Sequence, residues 1–354
     1  MRYKLLGKSG LRVSELCLGT MTFGEDWGWG ASKDESRQIF DAFVHAGGNF
    51  IDTANGYTDG SSEKIVGELI ASERERFVVA TKYSFPLQMN AHNGNPNGSG
   101  NHRKNMVQSL EGSLKRLHTD YIDLFWLHAW DFTTPVEEVM RSLDDLVRQG
   151  KVLYVGISDT PAWIVAEANT LARCYGWTPF VALQVEYNLI QRTPERDLLP
   201  MAKVFGMSVT PWSPLGGGVL TGKYNQPANT GDSNRLGDQV PQHQLEIADT
   251  VVQVAKDIGC SPSQLALAWL KVQSETIIPI IGARKLSQFQ DNLDCLKVEI
   301  TPEQLQSLNE VSKIEPGFPH DFLASDMIRD RLFGGTYGNL GPGSITGNTL
   351  GEIG

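Results

Sequence analysis

Cysteine is scarce in this chain and follows no pattern. Its four residues, Cys17, Cys174, Cys260 and Cys295, are scattered through 354 positions without metal-ligand or redox spacing. That excludes a disulfide-stapled scaffold and a thiolate metal centre, and it leaves inert thiols in a reducing compartment, the cytoplasm by default. An excess of positive charge is missing too. Lys and Arg number 31 against 41 Asp and Glu, a formal net charge of -10, so neither a nucleic acid nor an anionic membrane is an expected partner. No apolar run is long enough to span a bilayer, and Met1-Arg2-Tyr3-Lys4-Leu5-Leu6-Gly7 lacks the apolar stretch of a secretory signal. The G-x-G-x-x-G turn of an open dinucleotide-binding sheet is also missing. Leu16-Cys17-Leu18-Gly19-Thr20, where it would stand, offers one of those glycines.

What remains is ordinary globular material, 40% hydrophobic and 20% charged, arranged in a regular alternation. Apolar strand candidates fall at 16–21, 49–54, 77–82, 121–128, 152–158, 182–188, 207–213 and 277–282. Most are apolar throughout rather than alternating, as strands buried on both faces of a parallel sheet are. Helix starts lie between them. Ser32-Lys33-Asp34-Glu35 reads as a capping box, and Thr134-Pro135-Val136-Glu137, Ser261-Pro262-Ser263-Gln264 and Thr301-Pro302-Glu303-Gln304 repeat it with proline at the first helical position. Thr160-Pro161 and Thr193-Pro194 are reduced forms, while Gly47, Gly150 and Gly176 stand where left-handed C-terminal caps belong. Within the helices, Ile39 and Phe43, Met106, Leu110 and Leu114, and Val139, Leu143 and Val147 follow helical spacing and should face the sheet. Eight strand–helix pairs predict an α/β fold of the (β/α)8 barrel type over residues 1–315.

Three segments break the rhythm. A short hairpin around residues 7–10 is expected to plug the barrel floor. Residues 83–102 form a flexible polar loop after the third barrel strand, and residues 214–241 a second long loop after the seventh. Residues 316–354 form a glycine-rich tail of unassigned role, a cover for the barrel mouth or a contact for assembly.

Barrel enzymes carry their chemistry at the C-terminal ends of the strands. There the second strand ends in Asp52 with Tyr57 just beyond, the third in Lys82 and the fourth in His128. Taken singly, each of these is an unremarkable strand-end residue; in this order they resemble the aldo-keto reductase family. The resemblance runs through Gly19-Thr20-Met21, Phe50-Ile51-Asp52-Thr53-Ala54 with Tyr57, Gly67, Ala80-Thr81-Lys82, and Asp120-Tyr121-Ile122-Asp123-Leu124 up to His128. It continues in Gly156-Ile157-Ser158, Leu183-Gln184-Val185-Glu186-Tyr187-Asn188, Trp212-Ser213-Pro214-Leu215-Gly216-Gly217-Gly218, Gly222-Lys223-Tyr224 and Gly282-Ala283-Arg284.

That resemblance implies NADPH/NADP+ and the reversible reduction of aldehydes or ketones. It implies Tyr57 as proton donor, with its pKa lowered from about 10 by the Lys82 ammonium. Asp52 would hold Lys82, and His128 would orient the carbonyl oxygen. On the cofactor side it implies Gly19, Thr20, Met21 and Asp52 near the nicotinamide, Ser158, Asp159 and Gln184 on the carboxamide, and Trp212 stacked on the ring. Ser213, Pro214, Leu215 and Gly217, in a stretch 213–218 whose backbone would offer free N–H groups, and the Lys223 charge would meet the pyrophosphate. Gly282, Arg284, Gln288, Asp291 and Asn292 would hold the adenosine end, the Arg284 guanidinium matching a 2′-phosphate. One position departs from the family, which commonly has Ser-Asn where this chain has Ser158-Asp159. An ionised Asp accepts and cannot donate. Trp27, Trp29 and Trp130 either wall a site for aryl or apolar aldehydes or pack the loops against each other.

Two other classes compete. A non-catalytic, NADPH-sensing regulatory subunit of a channel or other partner would keep the cofactor groove, but retention of Asp52, Tyr57, Lys82 and His128 favours an enzyme. A barrel hydrolase or lyase would need paired carboxylates or metal ligands at the mouth, which Asp52 alone does not supply. Substrate, direction and oligomeric state are not written in the sequence.

Overall fold

The computed structural model of the chain describes residues 1–88, 94–225 and 240–340. At its start β1 (Tyr3–Leu5) and β2 (Arg12–Ser14) pair antiparallel as a hairpin. Eight parallel strands follow: β3 (Cys17–Gly19), β4 (Phe50–Asp52), β5 (Val78–Tyr83), β6 (Ile122–Leu127), β7 (Val152–Ser158), β8 (Phe180–Glu186), β9 (Ser208–Trp212) and β10 (Ile280–Ile281). They hydrogen-bond in the order β10-β3-β4-β5-β6-β7-β8-β9. A parallel bridge between Val209 and Ile277 joins the two ends, so the sheet closes as the (β/α)8 barrel expected from the sequence.

Helices wrap the outside. They are α1 (Lys33–His45), α2 (Ser61–Ile70), α3 (Arg103–Leu117), α4 (Val136–Arg148), α5 (Ala162–Tyr175), α6 (Leu198–Phe205), α7 (Gln242–Ile258), α8 (Pro262–Gln273), α9 (Leu286–Leu293) and α10 (Pro302–Val311). The Ser261 and Thr301 capping boxes form in full. The other two expected boxes do not. Ser32 accepts from Glu35 N, but the Glu35 carboxylate reaches Leu286 N instead of returning to its own cap. Thr134 gives both its amide and its hydroxyl to Asp131, so α4 starts without a side-chain cap.

Successive residues of a strand face opposite sides of the sheet, and the core divides accordingly. Phe50, Val78, Ala80, Leu124, Trp126, Ala182 and Ile280 fill the barrel interior, while Ile51, Val79, Phe125, Ile157 and Leu183 pack outward against helix residues such as Ile39, Phe43, Met106, Leu110, Val139 and Leu143. Gly156 makes the interior possible. A Cβ there would lie 2.3 Å from the Trp126 ring, so the strand beside Trp126 can carry no side chain at that level.

The hairpin does close the floor. Leu6 and Val13 join the interior cluster, Gly7 N donates to Ser208 Oγ, and Lys4 Nζ donates to the Ile277 carbonyl. The loop after β5 differs from expectation. Residues 89–93 lie outside the described residues, but Gly100 N bonds the Ser84 carbonyl and Asn101 is fully buried, so its end is pinned rather than flexible. Beyond residue 316 two short helices appear, α11 (His320–Ala324) and α12 (Asp326–Phe333). The tail from 341 and the stretch 226–239 of the loop after β9 lie outside the described residues.

Candidate active site

Each central polar side chain stands one pleat repeat beyond an interior core residue. Phe50 leads to Asp52, Ala80 to Lys82, Trp126 to His128, Gly156 to Ser158, and Ala182 to Gln184. The period of two therefore carries all five inward at the C-terminal mouth. Strand register steps the first three up the mouth, Asp52 being opposite Ala80 and Lys82 opposite Trp126, while Ser158 and Gln184 lie level.

Lys82 is fully buried and makes an ion pair with Asp52 Oδ2. Its ammonium also donates to the Thr53 carbonyl at 2.8 Å and to the Tyr57 oxygen at 3.0 Å. Asp52 Oδ1 accepts from Gln184 Nε2 at 3.1 Å. Tyr57 opens a 3-10 turn, Tyr57–Gly60, directly after β4. The His128 ring stands edge-on to Tyr57, with centroids 6.0 Å apart, and edge-on to Phe85 at 4.6 Å. Phe85 was not a sequence candidate. Its only signal was an aromatic three residues past a charged strand end.

Burial pulls the Lys82 ammonium down, but Asp52 and Tyr57 together hold it above the ordinary lysine value, so it stays charged. Burial pushes the Tyr57 phenol up; Lys82 opposes this, yet the phenol remains above 10. The expected lowering below the free value is therefore corrected: desolvation outweighs the neighbouring cation, and the phenol is protonated. Burial and the Lys82 charge together hold His128 well below 6.5, so the imidazole is neutral.

The candidate cofactor side is less uniform. Thr20 is fully buried and spends its hydroxyl on the Asp52 carbonyl and Ser62, while Gly19 and Met21 are half-buried beside it. Thr22, which the sequence did not single out, ties the β3 exit to the β10 exit by donating to the Ala283 carbonyl at 2.7 Å. Asp159 has a left-handed φ of 40° and accepts from Trp212 Nε1 at 3.0 Å. Surrounding protein pushes its carboxyl up, and the Trp212 donor opposes that rise.

In the loop after β9, Ser213, Gly216, Gly217 and Gly218 all have positive φ, and Pro214 and Leu215 are half-buried between them. The expectation of free amides fails at three positions. Gly216 N donates to the Ser213 carbonyl, Gly217 N to Ser213 Oγ and Gly218 N to the Leu215 carbonyl, closing the tight turn. Among the described residues of this loop the cation is Lys223, whose stem lies against Gly218, where an added Cβ would meet it at 2.9 Å. At the β10 exit Gln288 accepts from Arg284 N, and Asn292 donates to the Gly282 carbonyl. Asp291 is turned away, with both oxygens held by Ser261 and Gln264 at the start of α8. Among the described residues, neither Lys223 nor Arg284 has an ion-pair partner. Lys223 and Arg284 stand at adjacent strand exits without an ion-pair partner among the described residues, and with the amide side chains of Gln288 and Asn292 they fit a diphosphate-bearing nicotinamide.

The tryptophans resolve toward packing. Trp27 and Trp29 rest on each other at 5.6 Å, Trp27 donates to Asp59 in the Tyr57 turn, and Trp130 packs on the core. Among the described residues no helix is long and apolar enough to cross a membrane.

Comparison with known proteins agrees with the geometry. The aldo/keto reductase family model matches residues 15–313. An aryl-alcohol dehydrogenase [NADP(+)] of Phanerodontia chrysosporium is 40% identical over 329 residues, covering 88% of this chain and 86% of that protein. A norsolorinic acid reductase of Aspergillus flavus is 39% identical over 325 residues, 90% of this chain and 83% of that protein. An aldo-keto reductase ausK of Emericella nidulans is 38% identical over 340 residues, 92% and 85% respectively. Barrel, strand-exit side chains and matches coincide, and the chain belongs to the aldo/keto reductase family of carbonyl oxidoreductases.

Proposed function

We propose that the chain is an NADPH-dependent reductase of aryl aldehydes or ketones, in which Tyr57 gives the proton to the carbonyl oxygen. The observation that carries this reading is a chain of contacts ending on one phenol: Asp52 holds Lys82, and Lys82 donates to the Tyr57 oxygen at 3.0 Å. Because that oxygen accepts from the ammonium, the phenol's own O–H is left for a substrate. The cofactor, when bound, would supply hydride to the carbonyl carbon, so that negative charge would build on the carbonyl oxygen. Tyr57 answers that charge with its proton, and the Lys82 ammonium stabilises the phenolate left behind through a charge-assisted hydrogen bond. The neutral His128 orients the same oxygen with a second donor.

Ser158, Asp159 and Gln184 would hold the carboxamide, and Trp212, fixed by Asp159, would stack on the nicotinamide. Asp159 only accepts, so the carboxamide NH2 is the group it would take. Lys223 would meet the pyrophosphate beside Ser213, Pro214, Leu215 and Gly217. Gly282, Arg284, Gln288 and Asn292 would hold the adenosine end, with Arg284 favouring NADPH over NADH. Phe85, edge-on to His128, suits a flat aryl group, in keeping with the aryl substrate named for the Phanerodontia relative.

The test is NADPH consumption by the purified chain across substituted benzaldehydes, short aliphatic aldehydes, dicarbonyls and sugars. Turnover is expected to be fastest with benzaldehydes and, at equal concentration, about tenfold or more slower with NADH, the worth of one well-made charged contact. No carbonyl-dependent consumption, or equal rates with both cofactors, would contradict the reading.

A further inference from the structure

A histidine that acts on a substrate is ordinarily steadied by a hydrogen bond to its far ring nitrogen. Here His128 Nδ1 is buried without any hydrogen-bond partner among the described residues, and the ring is bounded by the aromatic edges of Tyr57 and Phe85. Ring contacts alone leave the imidazole free to slide. What is fixed is the backbone that carries it. His128 N donates to the Tyr83 carbonyl at 3.0 Å and to Ser84 Oγ at 3.2 Å.

Both sides of that backbone lead to one residue. The Asn101 carboxamide, fully buried, donates to Ser84 Oγ at 2.8 Å and to the Ala129 carbonyl at 2.9 Å. Its Oδ1 accepts from Asp131 N at 2.7 Å, and its own amide donates to Asp131 Oδ2 at 2.7 Å. One side-chain donor thus reaches Ser84, which itself holds the His128 amide, while the other donor and the acceptor reach the segment just after His128. Ser84 holds its place at a left-handed φ of 112°, a conformation costly for a residue with a Cβ, and its carbonyl takes Gly100 N at 2.7 Å. Strain of this kind persists where surrounding bonds over-determine it, and here those bonds converge beside the reacting face.

We propose that Asn101 is a positioning residue for His128, setting through Ser84 and Ala129 where the unanchored imidazole stands over the substrate carbonyl. The proposal rests on the reading that His128 orients the carbonyl oxygen. It assigns work to a residue of the loop after β5, in a polar stretch that no pattern in the sequence distinguished.

The test is a double-mutant cycle on benzaldehyde reduction, with NADPH affinity and melting temperature measured for every variant. Asn101→Asp keeps shape and the acceptor but loses the donors to Ser84 Oγ and the Ala129 carbonyl. A displacement on the order of 1 Å costs about 100-fold, so Asn101→Asp is expected to lower kcat by about 10- to 100-fold with NADPH affinity within about twofold of the parent. Added to His128→Ala, the same change should cost less than about twofold further, since there is no imidazole left to misplace. Ser84→Gly cuts the same link while suiting the left-handed backbone, and should lower kcat by about threefold or more in the parent background alone. Equal losses with and without His128, or no loss from either variant, would overturn the positioning role. No loss from His128→Ala would instead overturn the role of His128 itself, and the proposal with it.

Discussion

Lys82 keeps its charge in a place where a lone ammonium would give up its proton, because Asp52, the Thr53 carbonyl and the Tyr57 oxygen surround it. The same burial keeps Tyr57 protonated above its ordinary value and His128 neutral below its own. The signs fix a pH profile. An acid with a raised pKa stays loaded until the pH climbs through that value, so Tyr57 should lose its proton only above about 10. An imidazole with a lowered pKa charges only well below about 6.5. The rate of carbonyl reduction at saturating substrate is therefore expected to be flat between these limits and to fall on the alkaline side. A break near neutral pH, traced to His128 by its loss in His128→Ala, would contradict this assignment of protonation states.

At the scale of elements, the pleat does the placing. A register shifted by one residue would turn Asp52 or Lys82 to the helix side. Gly156 guards that register by leaving room for Trp126, which pairs with it across β6 and β7 and with Lys82 across β5 and β6. Gly156→Ala puts a methyl 2.3 Å from a fully buried ring. Overpacking of this kind is expected to cost about 1–3 kcal/mol, read as a lower denaturation midpoint, together with reduced turnover. An unchanged midpoint would show that Trp126 can move freely.

The legibility of the sequence follows the same physics. Strands buried on both faces announce themselves as apolar runs, and a lone polar residue at the end of such a run is conspicuous; that is why Asp52, Lys82 and His128 could be read. Capping boxes were legible where nothing competes, at Ser261 and Thr301. They failed where Glu35 and Thr134 found other partners across the fold. Asn101 was illegible because its bonds join three separate segments. The turn geometry that consumes the amides of Gly216, Gly217 and Gly218 likewise leaves no trace in residue type.

The whole molecule is polarised. One end of the barrel is sealed by an apolar hairpin through Leu6 and Val13, so a ligand has only the mouth to enter. The formal net charge of -10 would repel a phosphorylated cofactor at long range. On the proposed reading, binding would depend on the local fields of Lys223 and Arg284 at the β9 and β10 exits, which are not neutralised by an ion-pair partner among the described residues. On the proposed reading, chemistry and cofactor binding would occupy different sectors of one mouth, joined through Gln184, which bonds Asp52 on one side and faces Ser158 on the other.

That separation makes one measurement decisive. Tyr57→Phe removes a single oxygen, leaving Asp52, Lys82 and the cofactor sector in place. Carbonyl reduction should fall by about 100- to 10,000-fold, the usual contribution of a general acid, while NADPH binding followed by fluorescence titration stays within about twofold. Undiminished turnover in Tyr57→Phe would contradict the account at its centre.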